Sequence, residues 1–227
     1  MAHTVKIRRC IKMTRIILLR HGESEANLKG VGAGQTDVPL TDLGVRQAEL
    51  AARYILDHEK IDVIYSSDLQ RAVNTALPVA RALGLQINTD KRLREIDTGD
   101  FVGLTFEERN RRFAKEFERM RSDFSNFEYP NGEYVPEVYD RVAECICEIT
   151  AAHSGKTVLI ASHNGAMRAA DAFIKGYSRM EVGRSVSFGN TDINIYEFDG
   201  KTTRVIRNNI KEHLSEEQKD IPDTDKQ

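Results

Sequence analysis

No stretch of the 227 residues approaches the ~20 consecutive apolar positions that a membrane span requires. A dominant charge sign is missing as well. Thirty-three Lys and Arg face 35 Asp and Glu, a net charge of −2, so no global field recruits nucleic acid or an anionic lipid surface. Any anion binding must come from a local cluster of Arg and His. Cysteine is scarce, and Cys10, Cys145 and Cys147 offer no zinc spacing: the last two are two apart on an expected helix, where their side chains diverge. They read as reduced thiols of a cytoplasmic protein. The opening "MAHTVKIRRCIKM" is basic but has no apolar run before the first strand, so it is not a secretory signal. Residues 1–13 are expected to be an N-terminal extension, and residues 213–227, almost free of hydrophobes, a disordered tail. No internal repeat is present.

What the sequence does have is 40% hydrophobic residues in an alternating pattern. "RIILL" (Arg15 to Leu19) is short, aliphatic and unbroken, as in a strand covered on both faces. "DVIYSS", "LQINTD" and "TVLIAS" are further short strands. Between them run helical patterns. Thr41 or Asp42 caps a helix reaching about Asp57, and "DLQRAVNTALPVARALG" stops at Gly84 with a kink expected at Pro78. One helix is expected from about Thr105 to Arg121 within a polar segment. "VPEVYDRVAECICEITAAHS" and "GAMRAADAFIKG" are two more, and "DINIYEF" and "TRVIRNNI" form a hairpin about Asp199-Gly200. This predicts a single three-layer α/β/α domain over residues 14–212 with a mostly parallel central sheet.

In such sheets function gathers at the carboxyl ends of the strands. The first strand ends at Arg20-His21-Gly22, and the second at Ser66-Ser67-Asp68 with Arg71 one turn further. "TVLIAS" ends at Ser162-His163-Asn164-Gly165, and Arg94, Glu95 and Asp97 follow the third strand. A lone histidine after a strand is ordinarily structural. Two in matching contexts, each within two residues of a glycine, point to a site a ligand can approach closely. A guanidinium at a buried strand end is costly without an anion.

Arginine forks match phosphate oxygens and stabilise charge on a transferring phosphoryl group. A neutral imidazole is a nucleophile toward phosphorus, and a carboxylic acid protonates the departing alkoxide. The rival use of two histidines is metal ligation, but no H-x-x-x-H or Asp-rich ligand spacing is present. "GVGAGQTD" is not a P-loop, since it lacks GK[ST] and does not directly follow a strand.

Six motifs, in order, resemble those of the histidine phosphatase superfamily, the group that includes cofactor-dependent phosphoglycerate mutases and broad-specificity phosphatases. They are "LLRHGESEAN", "QTDVPLTDLGVRQA", "YSSDLQRAVNTA", "LREIDTGDFVGLTFEE", "PNGEYVPEVYDRV" and "ASHNGAMRA". The resemblance implies a phosphoglycerate mutase-like fold and metal-independent chemistry without a cofactor. It implies His21 as the phosphorylated nucleophile, Glu95 as proton donor and His163 as the second histidine. Arg20 and Arg71 match phosphate clamps, and Asn27 and Gln35 match positions that line the phosphate or substrate pocket. Departures are Phe101 and Val102 where the family has Trp and Glu, expected to alter the wall beside Glu95. Asn131-Gly132-Glu133-Tyr134 departs from "GGES", an expected influence on substrate choice. Asn164 intervenes before Gly165, where a left-handed backbone would preserve the turn and the side chain would add a polar contact to the pocket.

The implied activity is hydrolysis of a small phosphate ester by a cytoplasmic enzyme, with no nucleic-acid or membrane partner and a homodimer left open. A phosphoglycerate mutase and a catalytically silent phospholigand-binding module are the alternatives. Mutases of the family carry a longer insertion after the glutamate motif, whereas the segment here, residues 105–130, is short. Retention of both His21 and Glu95 argues against the silent module. The Arg109–Tyr129 stretch reads equally as a lid over the pocket or as an amphipathic helix with a solvated charged face.

Overall fold

Ile16, Ile17, Leu18 and Leu19 are each at most 1% exposed, so both faces of the first strand are covered. Burying four such side chains stabilises the fold by ~1.5–3 kcal/mol apiece, enough to anchor this strand at the middle of a sheet. The structure, a computed structural model, describes residues 12–214; most of the extension and the tail named above lie outside them.

In chain order the elements are β1 (Thr14–Arg20), α1 (Glu25–Leu28), α2 (Asp42–His58), β2 (Val63–Ser66), α3 (Gln70–Leu83) and β3 (Ile87–Thr89). Then follow α4 (Phe106–Arg112), α5 (Ala114–Ser122), α6 (Val135–Ala152), β4 (Thr157–Ser162), α7 (Asn164–Ile174), β5 (Ile193–Phe198) and β6 (Thr203–Ile210), with 3-10 turns between some of them. The strands form one six-stranded sheet in the order β3-β2-β4-β1-β5-β6. β3, β2, β4 and β1 are mutually parallel, and β5 runs against β1 and β6.

Alternation along the central strands sends side chains to two separate cores. Ile16, Leu18, Val158 and Ile160 pack with Val142 and Ile146 of α6 and Met167 and Ala170 of α7. Ile17, Leu19, Leu159 and Ala161 pack on the other face with Ala51 and Ile55 of α2 and Ala76 and Val79 of α3. Helices on both sides of a mostly parallel sheet give the three layers expected.

Local chemistry accounts for the boundaries. Thr41 caps α2 by accepting the Gly44 N–H, and α3 stops where Gly84 adopts a left-handed φ of 64°. α3 runs without interruption from Gln70 to Leu83 with Pro78 inside it. Cys145 of α6 is buried and Cys147 exposed, as their spacing requires. One expectation fails. The helix foreseen over 105–121 is two helices, broken at Phe113, whose backbone leaves the helical region at φ −133° and ψ 43°. Phe113 turns its ring onto Phe101 at a centroid distance of 5.3 Å, and Phe106 of α4 and Phe117 of α5 meet at 5.0 Å in the same aromatic cluster.

Candidate active site

Register brings the two histidines together. β1 and β4 pair in parallel with Arg20 opposite Ser162, and the His21 N–H donates to the Ser162 carbonyl at 3.0 Å. The next residue on each strand is therefore a histidine at the same sheet edge. Their ring centroids lie 5.1 Å apart.

Each ring is held in one tautomer. The Nδ1 of His21 is 2.7 Å from the Gly22 carbonyl, which can only accept, so Nδ1 carries the proton and Nε2 presents its lone pair. His163 is the reverse: Arg71 Nε–H donates to its Nδ1 at 3.1 Å, so its proton is on Nε2. That Nε2–H is buried and has no hydrogen-bond partner among the described residues. Burial first, and then the Arg71 and Arg20 charges, hold His21 well below the usual imidazole range; burial and Arg71 do the same to His163. Both rings are neutral at neutral pH.

Arg71, on the first turn of α3, is 1% exposed. Its two terminal nitrogens donate to the carbonyls of Thr36 and Gly34, each at 2.8 Å, and each keeps one further N–H for a ligand. Burial lowers its pKa to about 10, which leaves it charged at neutral pH. Arg20 donates to the Phe188 carbonyl. The loop bearing that carbonyl is fixed by Asn164, whose Oδ1 accepts from the Phe188 N–H at 2.9 Å and from Ser187 Oγ at 3.1 Å. Asn164 lines the cavity, but it is the first residue of α7 and is not among the residues of left-handed backbone. No special turn is needed, because the helix begins directly after His163.

Glu95 reaches the first turn of α7. Its Oε1 accepts from the Gly165 N–H at 2.9 Å, the Ala166 N–H at 3.3 Å and its neighbour Ile96 N–H at 2.9 Å. Only glycine fits at 165: a Cβ there would sit 2.6 Å from Glu95 Oε1 and from the Ile96 side chain. Behind Glu95, Arg141 of α6 donates to the carbonyls of Arg92 (2.7 Å), Arg94 (2.9 Å) and Glu95 (3.1 Å). It also forks onto both carboxylate oxygens of Glu133 at 2.9 Å. Glu133 in turn accepts the Asp97 N–H at 2.8 Å. The Glu133 motif therefore braces the backbone carrying the acid; it does not line the cavity.

These groups open onto a cavity of about 570 Å³. Arg20, His21, Asn27, Arg71, Glu95 and Asn164 line it, while His163 is fully buried beside His21 and is not itself on the wall. Asn27 turns its Oδ1 to Ser24, accepting from that residue's N–H (3.0 Å) and hydroxyl (2.8 Å) in the capping box of α1. Gln35 is not on the wall. It donates to the Glu95 carbonyl at 3.2 Å and Glu133 at 3.4 Å, so the structure places it in the brace behind the acid. Phe101 is fully buried in the aromatic cluster under α4 and α5, and Val102 is 36% exposed. Neither forms the wall beside Glu95.

The far wall comes from the 105–130 segment and α7: Arg109, Phe117, Met120, Arg121, Phe124 and Arg168 among others. The segment is thus both things the sequence suggested, a wall over the cavity and an amphipathic pair of helices with exposed charges. Sequence reasoning missed Arg109, Arg121, Arg168 and the brace residue Arg141. For Arg109 there was a signal. Phe106, Arg109 and Phe113 fall at i, i+3 and i+7, which sets the arginine on the inward face.

Among the described residues no group of three or more His, Cys, Asp or Glu side chains is arranged to hold a metal ion. No described helix is long and apolar enough to cross a membrane.

Fold and site together define an α/β protein that gathers arginines, two neutral imidazoles and a carboxylate at the carboxyl edge of its sheet. The chain belongs to the histidine phosphatase superfamily (branch 1), which it matches over residues 16–211. It is 34% identical over 206 residues to phosphoserine phosphatase 1 of Hydrogenobacter thermophilus, covering 90% of this chain and 96% of that protein. The solved mycobacterial glucosyl-3-phosphoglycerate phosphatase, with VO3, superposes with a TM-score of 0.80 at 26% identity, over 87% of this chain and 99% of that one. A phosphoserine phosphatase mutant of Entamoeba histolytica in complex with phosphoserine gives 0.79 at 27% identity, over 89% and 100%.

Proposed function

We propose that this protein is a metal-independent phosphomonoesterase that hydrolyses a small phosphorylated metabolite through a phosphohistidine on His21. The observation that carries the reading is the opposed tautomers of the paired histidines, which offer one free lone pair and one free N–H at the same sheet edge. His21 Nε2 attacks phosphorus as the ester P–O bond breaks, and Glu95 delivers a proton to the departing alkoxide. The Gly22 carbonyl on Nδ1–H stabilises the positive charge that develops on the ring. The N–H of His163 and the positive charges of Arg20 and Arg71 meet the charge on the phosphoryl oxygens. In the second half Glu95, now a carboxylate, takes a proton from water, the water oxygen bonds to phosphorus, and the P–N bond breaks to release phosphate and neutral His21. The short 105–130 segment leaves water access, which favours hydrolysis over return of the phosphoryl group to a second substrate.

The test is turnover of p-nitrophenyl phosphate and a panel of metabolite phosphates in EDTA, with acid-labile, base-stable label trapped on the protein. Turnover in EDTA and label on wild type but not on His21→Ala is expected. Loss of activity in EDTA, label on His21→Ala, or activity confined to 2,3-bisphosphoglycerate-dependent isomerisation would overturn the reading.

A further inference from the structure

The far wall of the cavity holds a guanidinium for which the chemistry above has no use. Arg109 of α4 is 6% exposed and lines the cavity. Its buried Nε–H has no hydrogen-bond partner, and it forms no ion pair among the described residues. Other buried arginines here are engaged: Arg71 by two carbonyls and a histidine, Arg20 by the Phe188 carbonyl. A guanidinium on a cavity wall with a buried donor left unmatched is costly, and a protein keeps one where a ligand supplies the acceptors and the counter-charge.

The surroundings of Arg109 are built for it. Its guanidinium carbon lies 6.0 Å from the centroid of the Phe101 ring, which supports it from the core side. On another side the chain passes as Gly32, where a Cβ would stand 2.1 Å from Arg109 Nη2. Gly32 has no positive φ, and the space its missing Cβ leaves is taken by the guanidinium of Arg109. In the glycine-rich "GVGAGQ" run, which is no P-loop, Gly30 and Gly34 take positive φ, Gly32 leaves room for Arg109, and the Gly34 carbonyl holds Arg71.

Charge around the cavity points the same way. Its lining has five arginines, Arg20, Arg71, Arg109, Arg121 and Arg168, against two carboxylates, Glu95 and Asp123. One phosphate monoester, carrying about −2, leaves that wall cationic, and Glu95 is occupied by backbone N–H groups.

We propose that Arg109 is a specificity-determining residue that binds a second anionic group of the substrate. The preferred substrate is thus a small phosphate monoester bearing a further carboxylate or phosphate, with its ester phosphate between Arg20 and Arg71 and the second anion on Arg109. This rests on the proposed phosphatase reading and narrows its substrate class.

The test compares matched pairs: 3-phosphoglycerate against glycerol 3-phosphate, which differ in a carboxylate, and fructose 1,6-bisphosphate against fructose 6-phosphate, which differ in a phosphate. The wild type is expected to prefer the more anionic member of at least one pair, and which pair shows it identifies the second group. In Arg109→Met the ratio of kcat/KM within that pair should fall about 100-fold, the worth of a charge-assisted hydrogen-bonded contact, mostly through KM. Arg109→Lys should keep part of the preference. Arg111→Met, which removes one charge from the exposed face of the same helix, should leave the ratio unchanged. No preference in the wild type, an equal fall on both members of a pair, or the same ratio change in Arg111→Met would overturn the proposal. Calorimetric affinities of both pairs for the His21→Ala protein, with and without Arg109→Met, give the same comparison without turnover. If no ester is hydrolysed by the wild type, the phosphatase reading fails alone, and these affinities still decide whether Arg109 binds the second anion.

Discussion

The two walls of the cavity are built on opposite plans. The sheet-edge wall is fixed before any ligand arrives: His21, His163, Arg71 and Glu95 each have at least one partner that sets their orientation. Those partners are mostly backbone groups: the Gly22, Gly34 and Thr36 carbonyls, and the N–H groups of Ile96 and of Gly165 and Ala166 in the first turn of α7. The 105–130 wall hangs on an aromatic cluster, with Phe101 touching the rings of Phe113, Phe117, Phe127 and Tyr129. It presents Arg109 resting on Phe101 with its buried Nε–H unmatched among the described residues. Preorganisation belongs where charge develops in the transition state, and an unfilled donor belongs where a substrate must be recognised.

Three measurements sharpen or break this contrast. The largest effect is expected from Glu95→Gln, which keeps the shape of the brace but removes the proton. Its kcat/KM, which reports the steps through leaving-group departure and not the hydrolysis of the phosphoenzyme common to all esters, should fall about 10²–10⁴-fold on alkyl phosphates, and far less on p-nitrophenyl phosphate, whose leaving group needs no proton, with an unchanged melting temperature. An equal loss on both ester types would mean that Glu95 acts through structure and not as an acid.

Next comes Phe101→Ala, which empties the centre of the aromatic cluster and should cost about 3–5 kcal/mol of stability. Hydrogen exchange should speed up over residues 105–127 while β1 and β4 amides stay protected. Acceleration spread evenly over the sheet would erase the distinction between the walls.

The smallest effect is on stability against pH. Both active-site imidazoles are kept neutral in the fold, whereas in the unfolded chain they take up protons near pH 6.5. The unfolded state therefore binds more protons as pH falls, and stability present above about 6.5 is lost below it. His213, held near 4 by burial, adds to the same trend. Wild type should lose roughly a few degrees of melting temperature more than His163→Gln between pH 7 and 5.5. Parallel curves would show that His163 is not held neutral.

How much of this was legible depended on distance along the chain. Strand ends, caps and stops are local, so Arg20-His21, Ser162-His163, the Thr41 cap and the Gly84 stop could be read from short windows. The break at Phe113 was not, because the 105–121 pattern is helical on both sides and only Phe101 pulls the ring inward. Nor was the fate of Gln35 and Glu133, which sit in motifs associated with the pocket yet hold the Glu95 backbone from behind. Arg109 lies in "EERNRR" beside Arg111 and Arg112, which share its chemistry and differ in which way the helix turns them.

Sequence alone determined the α/β alternation and the sheet-edge location of Arg20, His21 and His163, because each is encoded by periodicity or by a residue's position relative to its own strand. Tertiary structure decided the rest. The β1–β4 register set the two histidines side by side, Arg71 and Gly22 fixed their opposite tautomers, and the packing of α4 on Phe101 beside Gly32 buried one arginine of three at the cavity. Those outcomes depend on contacts between segments as far apart as His21 and His163, and no single segment specifies them.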